Sequence, residues 1–245
     1  MEQNTLPTQQ TGQVIYGPDS ASSVRTFLAN VFSYMTMALV ISGVMAWWFG
    51  NDMTKLQYLI NLETGSHTIL GWVVMLAPLA LVFAMGGLVN KMSGMVMLLT
   101  FIAFSVIMGI SLSYIFLIYS LSSVANVFFI TSAVFGVMAV AGYTTKTDLT
   151  KLGSILMIGL IGIVIASLVN MFMQSDTMSY VVSIIGVVVF TGLTAYDVQK
   201  LKRIGEQAIT GTETAQKMAL MGALSLYLDF INLFLMLLRL FGRRD

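Results

Sequence analysis

The chain is 245 residues long, 57% apolar and 9% charged, with a mean hydropathy of +0.87 and a formal net charge of +1. A globular domain carries roughly a quarter charged residues, so this composition excludes a soluble fold and describes a polytopic membrane protein whose first partner is the lipid bilayer. The few charges form no basic stripe, which excludes nucleic acid as a partner, and the lack of cysteine excludes disulfides, thiolate nucleophiles and thiolate metal sites.

Residues 1–23 have the composition of a disordered polar tail. They lack the basic start and short apolar core of a signal peptide, so the first apolar run is expected to stay in the membrane. Runs of about 20 apolar residues predict seven transmembrane helices, over roughly 26–49, 69–89, 94–119, 124–143, 152–173, 179–203 and 216–241. Leu121-Ser122-Ser123 is read as the turn that keeps the third and fourth spans apart. Residues 24–245 therefore form one all-α domain, a seven-helix bundle, with 50–68 and 204–215 as its longer polar connections.

Trp47 and Trp48 close the first span and Trp72 opens the second, as an aromatic belt at one interface. His67, with no ligand-type neighbours, is an interfacial side chain rather than a metal ligand. Ser105, Gly109 and Ser113 in the third span, and Gly162 and Ala166 in the fifth, recur every four residues and predict seams where helices approach closely. The nineteen methionines are scattered gap-fillers. With the N-terminus cytoplasmic, eight of the twelve Lys and Arg residues fall inside. An odd number of spans then puts Arg239, Arg243 and Arg244 outside.

Two carboxylates interrupt the apolar runs, Asp197 in GLTAYDVQKLK and Asp229 in ALSLYLDFINLFLMLLRLF. An acid in hydrocarbon costs a few kcal/mol even on the gentler insertion scales, which marks such residues as functional. Each lies sixteen residues from position 213, beside Gly211. A simple hairpin turning there puts both about 24 Å from its apex, level with one another. Two carboxyl groups that meet titrate as a unit, in two steps. A shared proton holds the two helices together and double ionisation sets like charges against each other, which is a two-state element biased by pH.

At these residues the chain resembles the Bax inhibitor family of transmembrane Bax-inhibitor-motif proteins. ALSLYLDFINLFLMLLRLFG is similar to the family's last helix, AYDVQKLK to the end of its sixth, and TKTDLTKLG to a third signature, and the likeness covers about 24–241. The resemblance implies a seven-helix bundle with the last helix central, and a pH-sensitive calcium leak. It also implies that Asp197 and Asp229 are the pH sensor, the ion pathway and the weak, transient Ca²⁺ ligands. Some bacterial members add an acid and an arginine cluster in the second span. Here ILGWVVMLAPLALVFAMGGLVNK has no carboxylate and only Lys91 at its end.

The donor set agrees with a leak. Tight Ca²⁺ capture wants six to eight oxygens, whereas the spans offer two acids with Asn30, Asn126, Asn170 and Asn232. Asn170 and Asn232 also read as interhelical hydrogen bonds. No tightly bound cofactor is expected, Ca²⁺ being the transported ion and protons the signal. The chain is expected not to be an enzyme, because an intramembrane aspartyl protease sets its second acid in GxGD and here Leu226-Tyr227-Leu228 precedes Asp229. A second reading is a non-transporting regulator that binds a membrane protease or another membrane protein. The short tail and loops suit a bacterial inner membrane.

Overall fold

A computed structural model describes residues 18–61, 64–209 and 211–243. Its elements are helices: α1 (Pro18–Gly50), the single turn α2 (Met53–Leu56), α3 (Ile69–Leu88), α4 (Gly94–Leu112) with a 3₁₀ extension (Ser113–Leu117), α5 (Leu121–Thr144), α6 (Thr150–Met173), α7 (Asp176–Gln207) and α8 (Glu213–Phe241). Seven of them are long and apolar enough to cross a membrane. The seven predicted spans are therefore present, and their order is as read from hydropathy.

Three boundaries differ from the sequence reading. Pro18, whose fixed φ suits a first helical position, opens α1, so residues 18–23 are its first turns, while residues 1–17 lie outside the described residues. The break between the third and fourth spans falls at Ile118–Ser120, and Leu121, Ser122 and Ser123 already belong to α5. Third, α7 runs on to Gln207, because the charged residues after Asp197 carry the helix out of the apolar layer without breaking it.

The helix starts are written locally. Thr68, Ser93, Ser175 and Thr212 each sit at an N-cap with extended backbone and accept a hydrogen bond from an amide of the first turn, satisfying a donor the helix itself cannot. At the start of α4 a distant residue helps, since Gly94 N–H donates to Glu213 Oε1 of α8 at 2.7 Å. Lys217 donates to the Met92 carbonyl at 3.1 Å. The first turn of α8 is thereby fastened to the α3–α4 connection.

α8 is the central helix. Of its most apolar stretch 72% is buried inside the protein, against 17% for α3 and for α6, and it packs on α1, α4, α5 and α7. Two faces of α8 hold it differently. On one, Tyr227 is fully buried, its hydroxyl 2.7 Å from Ser42 Oγ of α1, which in turn donates to the Ser105 carbonyl of α4. On another, Phe230 meets Phe128 and Phe135 of α5 edge-on at 5.4 and 5.5 Å, geometry favoured by the ring quadrupoles.

The predicted small-residue seams divide. A Cβ on Gly109 would lie 2.5 Å from the Ser42 carbonyl oxygen, so α1 and α4 touch there as expected. Gly162 is exposed and has nothing within 4 Å, whereas Ala166 packs against the core, so of the predicted α6 seam only Ala166 faces protein. α6 approaches α7 through Gly153, against the Tyr196 ring, and Gly159, against Val189. Gly153 lies on the opposite side of the helix from Gly162 and Gly159 about 60° round from it, and spacing alone carries no information about which side faces protein.

Candidate functional site

The α7–α8 hairpin turns through Gly211, whose φ of +83° is a left-handed backbone that glycine adopts without a Cβ penalty. Its register is fixed by three contacts. Leu201 packs on Gly222, Ser225 bonds Asp197, and Gly186 packs on Met236. All three pairs are centred within one residue of position 211, not on 213, so Asp197 is level with Ser225. Asp229 stands one helical turn, about 6 Å, deeper.

Four residues along α8 return to the same face, so Asp229 lies on the side of α8 that carries Ser225, toward α7. Ser225 Oγ donates to Asp197 Oδ2 at 2.5 Å, and Asp197 and Asp229 line the same cleft. Asp229 is 7% exposed, and its Oδ2 has no hydrogen-bond donor among the described residues. Carboxylates only accept hydrogen bonds. The neighbouring Asp197 carboxylate, when ionised, is another acceptor and supplies no donor to Oδ2.

The pair lines a cleft of about 310 Å³ between α6, α7 and α8, with Tyr196, Lys200, Ser225 and Asn232 among its walls. Asn232 Nδ2 donates to the Leu228 carbonyl within its own helix, leaving its amide oxygen for the cleft. The other asparagines named from the sequence lie elsewhere. Asn30 lines a separate cleft near the start of α8, and Asn126 is exposed on α5. Asn170 donates to Ser179 Oγ at 2.7 Å and accepts from the Ser175 amide, which ties α6 to α7 as an interhelical bond. Lys91, in the α3–α4 connection, is exposed and absent from the cleft, and the cation lining the cleft with the two acids is Lys200 of α7.

Above the cleft, the α5–α6 loop is clamped to α7. Gln199 is buried, its Oε1 accepting from the Leu149 amide at 2.9 Å and its Nε2 donating to the Thr147 carbonyl at 2.8 Å. Arg203 donates to Asp148 Oδ1 at 2.7 Å and to Thr150 Oγ1 at 3.1 Å. Hydrogen bonds from Thr150 and then the Arg203 guanidinium hold the Asp148 carboxyl well below the usual carboxylate range. The strings TKTDLTKLG and AYDVQKLK, far apart in the chain, are therefore one structure.

Residues 24–245 match the family described as inhibitor of apoptosis-promoting Bax1. The chain belongs to the Bax inhibitor family. It is 43% identical to the inner membrane protein YbhL of Escherichia coli K12, over 91% of this chain and 94% of that protein. An uncharacterized protein of Borreliella burgdorferi is 45% identical, over 89% of this chain and 92% of its own length, and one of Rickettsia prowazekii 44%, over 90% and 91%. Within this Bax inhibitor chain the residues the sequence reading missed are Ser225, Gln199 and Arg203. Ser225 was open to detection, since it lies one turn before Asp229 on the same helix face.

Proposed function

We propose that the protein is a pH-sensitive calcium leak pathway, with Asp197 and Asp229 as its proton-operated latch. The observation that carries the reading is the buried Asp229 carboxyl, in one cleft with Asp197 and with no donor to its Oδ2 among the described residues. One shared proton lets α7 and α8 close on each other as they do here. Loss of that proton leaves two like charges in a medium that screens them poorly, the hairpin loosens at this level, and a cation replaces the proton.

The donor chemistry suits passage rather than retention. Two carboxylates, the Ser225 hydroxyl and the Asn232 amide oxygen line one cleft, short of the six to eight oxygens of a tight Ca²⁺ site, so water completes the shell and the ion leaves easily. In the closed arrangement the way past Asp229 is filled by Leu233, Phe234 and Leu237, all buried. We read the protein as a non-enzyme without a resident cofactor, in a bacterial inner membrane, as the printed name of YbhL has it for that relative. Arg25 near the start of α1, Lys202 and Arg203 near the end of α7, which packs there on α1, Lys217 near the start of α8, and Lys146 and Lys151 in and just after the α5–α6 loop clamped to α7 lie at one end of the bundle, which supports a cytoplasmic N-terminus.

Ca²⁺ flux into vesicles carrying the purified protein, followed from pH 5 to 8, tests this. Flux should rise with pH in the parent, and Asp197→Asn and Asp229→Asn should each flatten the profile. An unchanged profile in both variants sinks the latch. Specific capture of a membrane protein with no flux at any pH would support the regulator instead.

A further inference from the structure

A second cavity, of about 660 Å³, opens at the end of the bundle remote from Lys200, where the 3₁₀ extension of α4 and the start of α7 meet the end of α8. Its polar lining is unusual in kind: the phenols of Tyr114, Tyr119 and Tyr180, the carboxylate of Asp176 and the guanidinium of Arg239. Leu235 and Leu238 continue the lining as apolar wall. Three ion pairs form among the described residues, Lys55 with Asp52, Arg203 with Asp148 and Lys217 with Glu213. Asp176 and Arg239 are exposed, share this cavity, and make neither an ion pair nor a side-chain hydrogen bond among the described residues.

The cavity also lies at a defined depth. Gly50, at the end of α1, packs on Ser113 and Phe116, and Gly242, after α8, packs on Tyr119. The cavity is therefore at the end that carries Trp47 and Trp48, each 49% exposed. Exposed tryptophans and tyrosines gather at the level of lipid headgroups. At that level an opposite pair of charges held apart over an apolar wall is complementary to one ligand class, an amphiphile whose head carries both a phosphate and an amine.

We propose that this cavity is a binding site for a zwitterionic aminophospholipid of the phosphatidylethanolamine type. Arg239 holds the phosphate, which its planar fork of donors fits better than an ammonium does, and the tyrosine hydroxyls donate to the remaining phosphate and ester oxygens. Asp176 accepts from the primary ammonium. A quaternary ammonium has no N–H to give it, and an uncharged glycerol head leaves the carboxylate facing a phosphate with no cation between. Leu235 and Leu238 take the start of an acyl chain, which a soluble headgroup lacks.

The test is lipid retention. The full-length protein is reconstituted in equimolar phosphatidylethanolamine, phosphatidylcholine and phosphatidylglycerol, released in mild detergent, and its bound lipid identified by native mass spectrometry. The parent should retain phosphatidylethanolamine over both others by about tenfold, the worth of one charge-assisted contact. Asp176→Asn should keep a bound lipid and lose that preference, Arg239→Gln should lose the lipid, and Arg239→Lys should retain it weakly. Both positions are exposed, so the variants should elute as folded protein. Retention that mirrors the bilayer composition, or is the same in parent and variants, overturns the proposal. Displacement by millimolar glycerophosphoethanolamine would also overturn it, in favour of a soluble amine phosphate.

Discussion

Ser225 Oγ donates a 2.5 Å hydrogen bond to Asp197 Oδ2 across the α7–α8 interface. The bond ties Asp197 to the helix that carries Asp229, one turn deeper, so the two acids are set by a third residue and not by the turn alone. Replacing Ser225 with Ala removes the hydroxyl donor to a carboxyl that is more than half shielded. The expected cost is about 1.5–3 kcal/mol for a hydrogen bond to a charged group, read as a lower Tm in detergent at pH 7. Ser225→Thr keeps the donor and should recover most of the loss.

The clamp on the α5–α6 loop gives a prediction with a definite sign in pH. Asp148 is held below its ordinary range by Thr150 and Arg203, so its ionised form favours the folded loop. That contribution is fully present above the unfolded value, about pH 4, and is lost as pH falls through the lower folded value. Hydrogen exchange at the Leu149 amide, which donates to Gln199, should therefore be slow and free of any opening transition from pH 8 to 5, with the loop opening only under stronger acid. Asp148→Asn should abolish the acid transition while leaving the Gln199 bonds. Gln199→Leu should open the loop at every pH, because it strands an amide and a carbonyl, at about 1–3 kcal/mol each when buried.

How far the fold was legible follows from what hydropathy encodes. Lengths and order of the spans are direct consequences of apolar runs, and a lone acid in such a run stands out, which is why Asp197 and Asp229, which line one cleft, could be named. Rotational phase is not encoded in a helix that is apolar all round. Gly162 and Gly153 look alike in sequence, yet one faces outward and the other receives Tyr196. The hairpin centre was placed at 213 and lies at Gly211, a two-residue error at the apex that becomes a four-residue offset between partners on the two arms. Gln199 and Arg203 read as ordinary polar residues at a helix end, because their partners, Thr147 to Thr150, are some 50 positions away.

That difference in phase can be measured. Gly142 of α5 is buried with the Ala195 carbonyl of α7 lying where a Cβ would stand. Gly142→Ala forces two backbones apart, and overpacking of this kind costs typically 1–3 kcal/mol. Gly162→Ala adds a methyl in open space on the lipid-facing side and should be neutral or stabilising, by up to about 1 kcal/mol from helix propensity. A common Tm shift for both substitutions would contradict the assigned faces of α5 and α6.

Tyr227 and Asp229 share a helix but face different neighbours, so the grip of α8 on α1 and α4 can be loosened without touching the acids. Ser42 already donates to the Ser105 carbonyl, so Tyr227 is the donor in its bond to Ser42. Tyr227→Phe removes that donor and keeps the ring, which stacks edge-on against Phe104 at 5.2 Å. Interhelical hydrogen bonds in membranes average about 0.6 kcal/mol, so the loss of stability should be small. Its effect on flux should be larger in one specific way. If α8 moves away from α7 when the carboxyls ionise, the Ser42 bond is part of what anchors it, and the variant should conduct more at each pH while keeping the parent's pH profile. A profile that flattens in Tyr227→Phe, as in the aspartate variants, would mean that Tyr227 belongs to the latch itself and that the two faces of α8 are not independent.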